Sequence, residues 1–245
     1  PTLSEVFVFG QTPGYIWQEI FLAINDSLPI CSQYLKSKRE ILDIDSLYLA
    51  KTLERLEKFA KVRDISLDKS LTFNDSPTPS LLKIAEIAAS RIAQVREQNL
   101  CIMHGDLCFS NIMYNFRSEV IKVIDPRGFI KPNQVSIYGD QRYDLAKLYH
   151  SIIGKYDFIV AGFYELKKNS EYDLSLELPS SENIEAIEQE FLHSEILSNK
   201  YIDTEIMAIC VLLFLSMLPL HSDDGQRQDA FLANALRLFL KMEGE

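Results

Sequence analysis

Most of the chemistry-bearing side chains fall in two short segments. They are His104-Gly105-Asp106-Leu107-Cys108-Phe109-Ser110-Asn111 and Val123-Ile124-Asp125-Pro126-Arg127-Gly128. The first is a polar loop between two short apolar runs, and the second puts a carboxylate at the end of the next run. If 112–114 and 120–124 pair as a hairpin, Asp106, Asn111 and Asp125 converge at one end of it. Two carboxylates and an amide carbonyl suit a hard divalent cation that takes oxygen ligands and keeps several waters. A carboxylate left off the metal can accept the proton of an attacking hydroxyl. Taken singly, each residue also has a plain structural role: His104 as a satisfied loop histidine, Asp106 as a turn cap, Asp125 as a strand end.

The spacing Asp-x4-Asn, followed by Asp at a strand end, is the working set of phosphoryl transfer in kinase-like folds. HGDLCFSN with VIDPRG resembles the HGDxxxxN and IDxx signatures of the aminoglycoside phosphotransferase and choline kinase family. Tyr138-Gly139-Asp140-Gln141-Arg142-Tyr143-Asp144-Leu145-Ala146 resembles that family's downstream helix. The resemblance implies that Asp106 is the catalytic base and that His104 braces its loop. It implies that Asn111 and Asp125 hold magnesium on the phosphates of ATP. Asp144 is implied to hydrogen-bond the loop backbone from below, with a helix cap or dipole partner as its plainer role. Arg127 either meets phosphate or pairs with an acid. His221 and Asp223, in His221-Ser222-Asp223-Asp224, are candidates for the acceptor pocket or simply a polar interhelical turn.

The family's larger C-terminal lobe would account for nearly the whole chain. Its N-terminal lobe should come first, with a phosphate-covering loop and a phosphate-pairing lysine, and neither fits in front of Pro1. Nine glycines in 245 residues, with no GxG, leave no Gly-rich phosphate cradle in this chain. The resemblance therefore implies an α+β, mostly helical fold, a protein-kinase-like C-terminal lobe whose small β insert carries the catalytic and metal loops. The expected division is a helical part over 1–98, the loops over 99–130 and a helical acceptor-side part over 131–245. The function implied is phosphoryl transfer from ATP to a hydroxyl of a sugar, aminoglycoside or amino alcohol, in the cytoplasm. Relatives of this kind occur in surface-polysaccharide pathways, which suits a sugar-like acceptor. The competing expectation is a non-catalytic binding module that lacks the first lobe.

Composition sets the outer bounds. Apolar residues make up 47% and charged residues 24%, enough to bury a sizeable core. A net charge of −10 argues against nucleic acid or an anionic membrane surface as partner. Cys31, Cys101, Cys108 and Cys210 show no metal-like spacing and read as reduced core thiols. The run Ile206 to Leu220, interrupted by Ser216 and Pro219, reads as a buried helix.

The elements that must position these residues follow from periodicity and turn chemistry. Leu3–Gly10 reads as extended, and helices are predicted near 15–34, from Asp43 or Asp45 onward, and from a capping Ser80. The basic cluster Lys36, Lys38 and Arg39 reads as a solvated helix end. Asn74 to Ser80 reads as a turn-rich connection. Strands are predicted over 100–103, 112–114 and 120–124, and a helix over 142–153. A hairpin is predicted within 158–178 with Lys167-Lys168-Asn169-Ser170 at its tip, then helices near 181–198, 202–218 and 226–243. Trp17 reads as core.

Overall fold

The first element shows a local signal overriding apparent alternation. Val6, Phe7, Val8 and Phe9 suggest a strand, yet Leu3–Phe9 is a helix in the computed structural model. Thr2 and Glu5 form a reciprocal capping box, and Leu3, Val6 and Phe7 are buried at helical spacing. The structure describes residues 1–32, 47–94, 100–131, 134–194 and 204–244. The Lys36–Arg39 cluster and the helix starts expected at Asp43 or Asp45 lie outside them.

The fold is α+β and mostly helical with small sheets. It forms two compact units. The first comprises Pro1–Ile44, Gln94–Asp157 and Ser180–Asp203; the second comprises Asp45–Ala93, Phe158–Pro179 and Thr204–Glu245.

In the first unit, the helix Gly14–Ser32 packs against the helix Glu182–His193. Trp17, Phe21 and Phe191 are buried there, with Trp17 and Phe21 centroids 5.7 Å apart and Phe21 and Phe191 5.6 Å apart. Strand Ile112–Asn115 pairs antiparallel with Val120–Val123, matching Ile112 to Val123 and Tyr114 to Ile121. The turn between them is held by Asn115, whose Oδ1 accepts from the Arg117 and Ser118 N–H groups at 2.9 and 3.2 Å. Strand Leu100–Ile102 pairs antiparallel with Tyr138–Asp140, a strand that periodicity does not reveal. The helix Gln141–Ile152 follows directly. Asp140 caps it through the Arg142 N–H at 3.0 Å and binds the Arg142 guanidinium at 2.7 Å, both groups being buried.

In the second unit, a four-stranded sheet runs in the order Ser76–Ser80, Ser70–Phe73, Asp173–Glu177, Glu165–Ser170. Ser76–Ser80 is thus an edge strand rather than a plain connection, and its two prolines are tolerated there because an edge needs fewer N–H donors. Asn74 and Asp75 both have positive φ and make the tight hairpin turn before it. Ser80 caps the helix Leu81–Ser90 through the Lys83 N–H at 3.3 Å. The later hairpin turns at Glu171 and Tyr172, so Lys167 to Ser170 lie within its first strand and not at the tip. The stretch Thr204–His221, the helix Thr204–Met217 with the 3₁₀ turn after it, is long and apolar enough to be a membrane candidate by length and composition. Here every residue from Ile206 to Met217 is buried, packed by the helices Leu49–Arg63, Leu81–Ser90 and Gly225–Gly244. Arg63 binds Asp229 at 2.8 Å and Glu171 at 2.9 Å, while Lys168 reaches Asp229 at 3.0 Å, so the buried acid is compensated twice.

Candidate active site

The candidate site lies wholly within the first unit. It begins with the loop 104–111, which carries its own turn chemistry. Gly105 sits at φ +78°, where an added Cβ would come within 2.8 Å of the Arg127 Cβ, so glycine answers both conformation and space. Phe109–Asn111 forms a single 3₁₀ turn that feeds the hairpin strand at Ile112. Cys108 donates its N–H to the Asp106 carbonyl at 2.9 Å, and Asn111 donates its N–H to the Cys108 carbonyl at 2.9 Å.

The loop and the segment around Asp125 are joined by three hydrogen bonds. Ile124 donates its N–H to the Asn111 carbonyl at 3.0 Å, extending the hairpin pairing beyond its last strand residue. Arg127 donates its N–H to the His104 carbonyl at 2.8 Å. The His104 Nε2 meets the Ile124 carbonyl at 2.8 Å, while its Nδ1 accepts the Asp106 N–H at 3.3 Å. Both ring nitrogens are thus engaged, so the imidazole braces the loop against the segment around Asp125.

The helix Gln141–Ile152 supports the loop with one face. Asp144, Lys147 and Ser151 stand three and four residues apart and so share that face. The Asp144 carboxylate accepts the His104 N–H at 2.7 Å and the Gly105 N–H at 2.8 Å. The Lys147 ammonium lies 2.8 Å from Asp106 Oδ1. Ser151 Oγ accepts the Phe109 N–H at 3.0 Å. Behind the loop, Phe109 is wholly buried between Phe7 and Trp17, with ring centroids 5.5 and 5.4 Å away. The first two helices thereby anchor the loop through an aromatic cluster.

Asp106 has both carboxylate oxygens engaged, Oδ1 by Lys147 and Oδ2 by the Asn111 amide nitrogen at 3.2 Å. Partial burial pushes its pKa up, but the Lys147 charge and hydrogen bond, with help from His104 and Asn111, outweigh that and hold it below the ordinary carboxylate range. Lys147 shows the converse. Burial opposes its charge, yet Tyr143 and Asp106 beside it keep the ammonium more firmly protonated than usual. Asp144 is fully buried, and desolvation raises it to about 6 even though two backbone N–H groups favour its charged form. Burial also pushes the Cys108 thiol up, in keeping with a core thiol and not a nucleophile.

Asn111 spends its amide nitrogen on the Asp106 carbonyl at 2.9 Å and on its carboxylate, which leaves Oδ1 as the atom that could take a cation. Asp125 is exposed just past the hairpin strand, in left-handed backbone at φ +56°. A carboxylate and an amide oxygen on adjoining loops are of the ligand type that could hold a hard divalent cation. Among the described residues, no group of three His, Cys, Asp or Glu side chains forms a fuller metal cluster. Arg127 donates to the Tyr143 hydroxyl at 3.1 Å and lies over the Phe129 ring at 4.9 Å. His221 and Asp223 belong to the second unit: the His221 ring stands 4.7 Å from that of Phe231, and Asp223 binds Arg227 at 2.5 Å.

Sequence reading alone passes over Lys147 and Ser151. The signal that points to them is their helical spacing from Asp144. Comparison with protein-family models gives no match, and neither does comparison with curated proteins or with solved structures.

Proposed function

We propose that this chain carries the catalytic half of an ATP-dependent, magnesium-requiring phosphotransferase acting in the cytoplasm on a hydroxyl of a small molecule, of the sugar, aminoglycoside or amino alcohol class. The observation that carries the reading is the meeting of Asp106 and Asn111 on a loop held at His104, Gly105, Asp106 and Phe109 by one helix face. Positioning of this kind is what phosphoryl transfer chiefly demands of a protein.

In this reading Asp106 accepts a hydrogen bond from the acceptor hydroxyl and aims its oxygen at the γ-phosphorus. As the new P–O bond forms and the bond to the β-phosphate oxygen breaks, the hydroxyl proton passes to Asp106. Its lowered basicity suits a group that orients the hydroxyl first and takes the proton late. Asn111 Oδ1 and Asp125 would hold the magnesium. When bound, that ion supplies the positive charge that offsets the negative charge on the phosphates. Arg127, tied to the catalytic loop through its backbone N–H, adds a second fixed cation to the site.

The test is to supply the full protein, this chain together with the lobe that covers the phosphates, with MgATP and a panel of sugars, aminoglycosides and amino alcohols, reading phosphorylated product by mass spectrometry. The reading expects product from one acceptor class, and a higher magnesium requirement in Asn111→Ala and Asp125→Asn. No product from any class, or unchanged magnesium dependence in both variants, contradicts it.

A further inference from the structure

On the bracing face, Asp144 and Ser151 meet loop backbone, whereas Lys147 meets a loop side chain, the carboxylate of Asp106. Asp144 and Ser151 already hold the backbone at His104, Gly105 and Phe109, so the loop has its supports without a lysine. Keeping an ammonium there is costly. The Lys147 side chain is only 18% exposed, and ordering so long a side chain forfeits rotamer freedom. Its partner is the more accessible of the two, at 39%.

The position of that partner suggests what the lysine does. Asp106 Oδ2 lies 3.2 Å from the amide of Asn111, the residue that supplies an oxygen to the candidate cation site. A carboxylate so close to a hard divalent ion is a stronger ligand than the amide it touches. Captured by the metal, Asp106 would no longer meet the acceptor hydroxyl. Lys147 occupies Oδ1 and places a positive charge beside the carboxylate, which both fixes its rotamer and disfavours a second cation there.

We propose that Lys147 is a positioning residue that reserves Asp106 for the acceptor hydroxyl by keeping its carboxylate out of the metal's ligand set. The proposal rests on the phosphotransferase reading and adds to it a role for a residue outside the motif. Because the lysine comes from the helix, its place is set by helical register and not by the conformation of the loop.

The experiment titrates the full chain with Mn2+ alone and follows unbound ion by electron paramagnetic resonance. Lys147→Met removes the charge and keeps the length, and Lys147→Gln serves as a second neutral variant should the first fail to fold. The neutral variant should bind Mn2+ about tenfold more tightly, the order expected from losing one positive charge about 6 Å from a dication at a water-like effective dielectric of about 80. Lys147→Arg should match the wild type. Combining the neutral variant with Asp106→Asn should return affinity to the wild-type value, because the recruited ligand is then gone. Mn2+ affinity within about twofold of wild type in the neutral variant, on the same scale of one charge removed, overturns the proposal. Asp125→Asn separates the two levels. If it weakens Mn2+ binding while the neutral variant changes nothing, only the role of Lys147 fails. If it leaves Mn2+ binding unchanged, the metal site and the phosphotransferase reading fail with it.

Discussion

Lys147 Nζ lies 2.8 Å from Asp106 Oδ1, one helical turn beyond Asp144, whose carboxylate holds the backbone of the same loop at His104 and Gly105. The helix thus fixes the loop backbone from one residue and the Asp106 side chain from the next one on that face. Asp140, which caps that helix and pairs with the strand residue Leu100, sets the register that brings both into place.

Asp144 gives the loop a pH signature. Burial raises its carboxyl from 3.8 to about 6, so the folded state holds a proton that the unfolded chain has already released. The resulting contribution to stability is fully present below the unfolded value and is lost as pH rises through the folded one. Relative to Asp144→Asn, which does not titrate, the wild-type unfolding free energy should fall by about 3 kcal/mol between roughly pH 4 and pH 6 and stay level above that. Denaturant melts of both proteins across that range check it. A pH-independent difference would show that Asp144 titrates normally.

Gly105 admits no side chain. Gly105→Ala forces a Cβ into left-handed backbone at φ +78° and to within 2.8 Å of the Arg127 Cβ, an atom too close to its own backbone to swing aside. The left-handed conformation alone costs about 1–2 kcal/mol, and relief of the clash must separate the two loops. We expect lower stability together with loss of phosphoryl transfer, measured by denaturation and product formation on the same preparation. A fully active Gly105→Ala would contradict the described loop geometry.

Phe109 reports on the anchoring of the loop. The chain has one tryptophan, Trp17, and its ring stacks on Phe109 at 5.4 Å and 24°. Phe109→Ala should cost about 3–5 kcal/mol through the cavity it leaves among buried aromatic rings. It should also shift Trp17 emission to the red by admitting water. Unfolding and fluorescence spectra of the variant measure both, and unchanged emission would place Trp17 elsewhere.

The hairpin around Asn115 and the helix start near Asp140 were legible because their signals are local: turn residues, a cap, and short apolar runs. The same local logic explains the error at Leu3–Phe9, where alternating bulk suggested a strand but Thr2 and Glu5 cap a helix. Prolines at 77 and 79 disguised an edge strand as a connection. At the site, Asp106 and Asn111 could be paired on paper because they share one turn of loop. Lys147 and Ser151 could not, since their partners lie some forty residues away, as His104 does from Asp144, and only tertiary packing brings them together. The strand Tyr138–Asp140 carries no periodic signal for a related reason, being three residues long and defined by its partner alone.

The central claim is that Asp106 acts on the acceptor hydroxyl. Asp106→Asn preserves size and shape while removing the charge, so it tests that claim with little disturbance of the loop. The measurement is the rate of phosphoryl transfer from MgATP to an accepted hydroxyl by wild type and Asp106→Asn, at saturating substrates and with matched circular dichroism. The account predicts a kcat at least about a hundredfold lower in the variant, the lower end of what a positioned base contributes. A well-folded Asp106→Asn that transfers phosphate at the wild-type rate would contradict it.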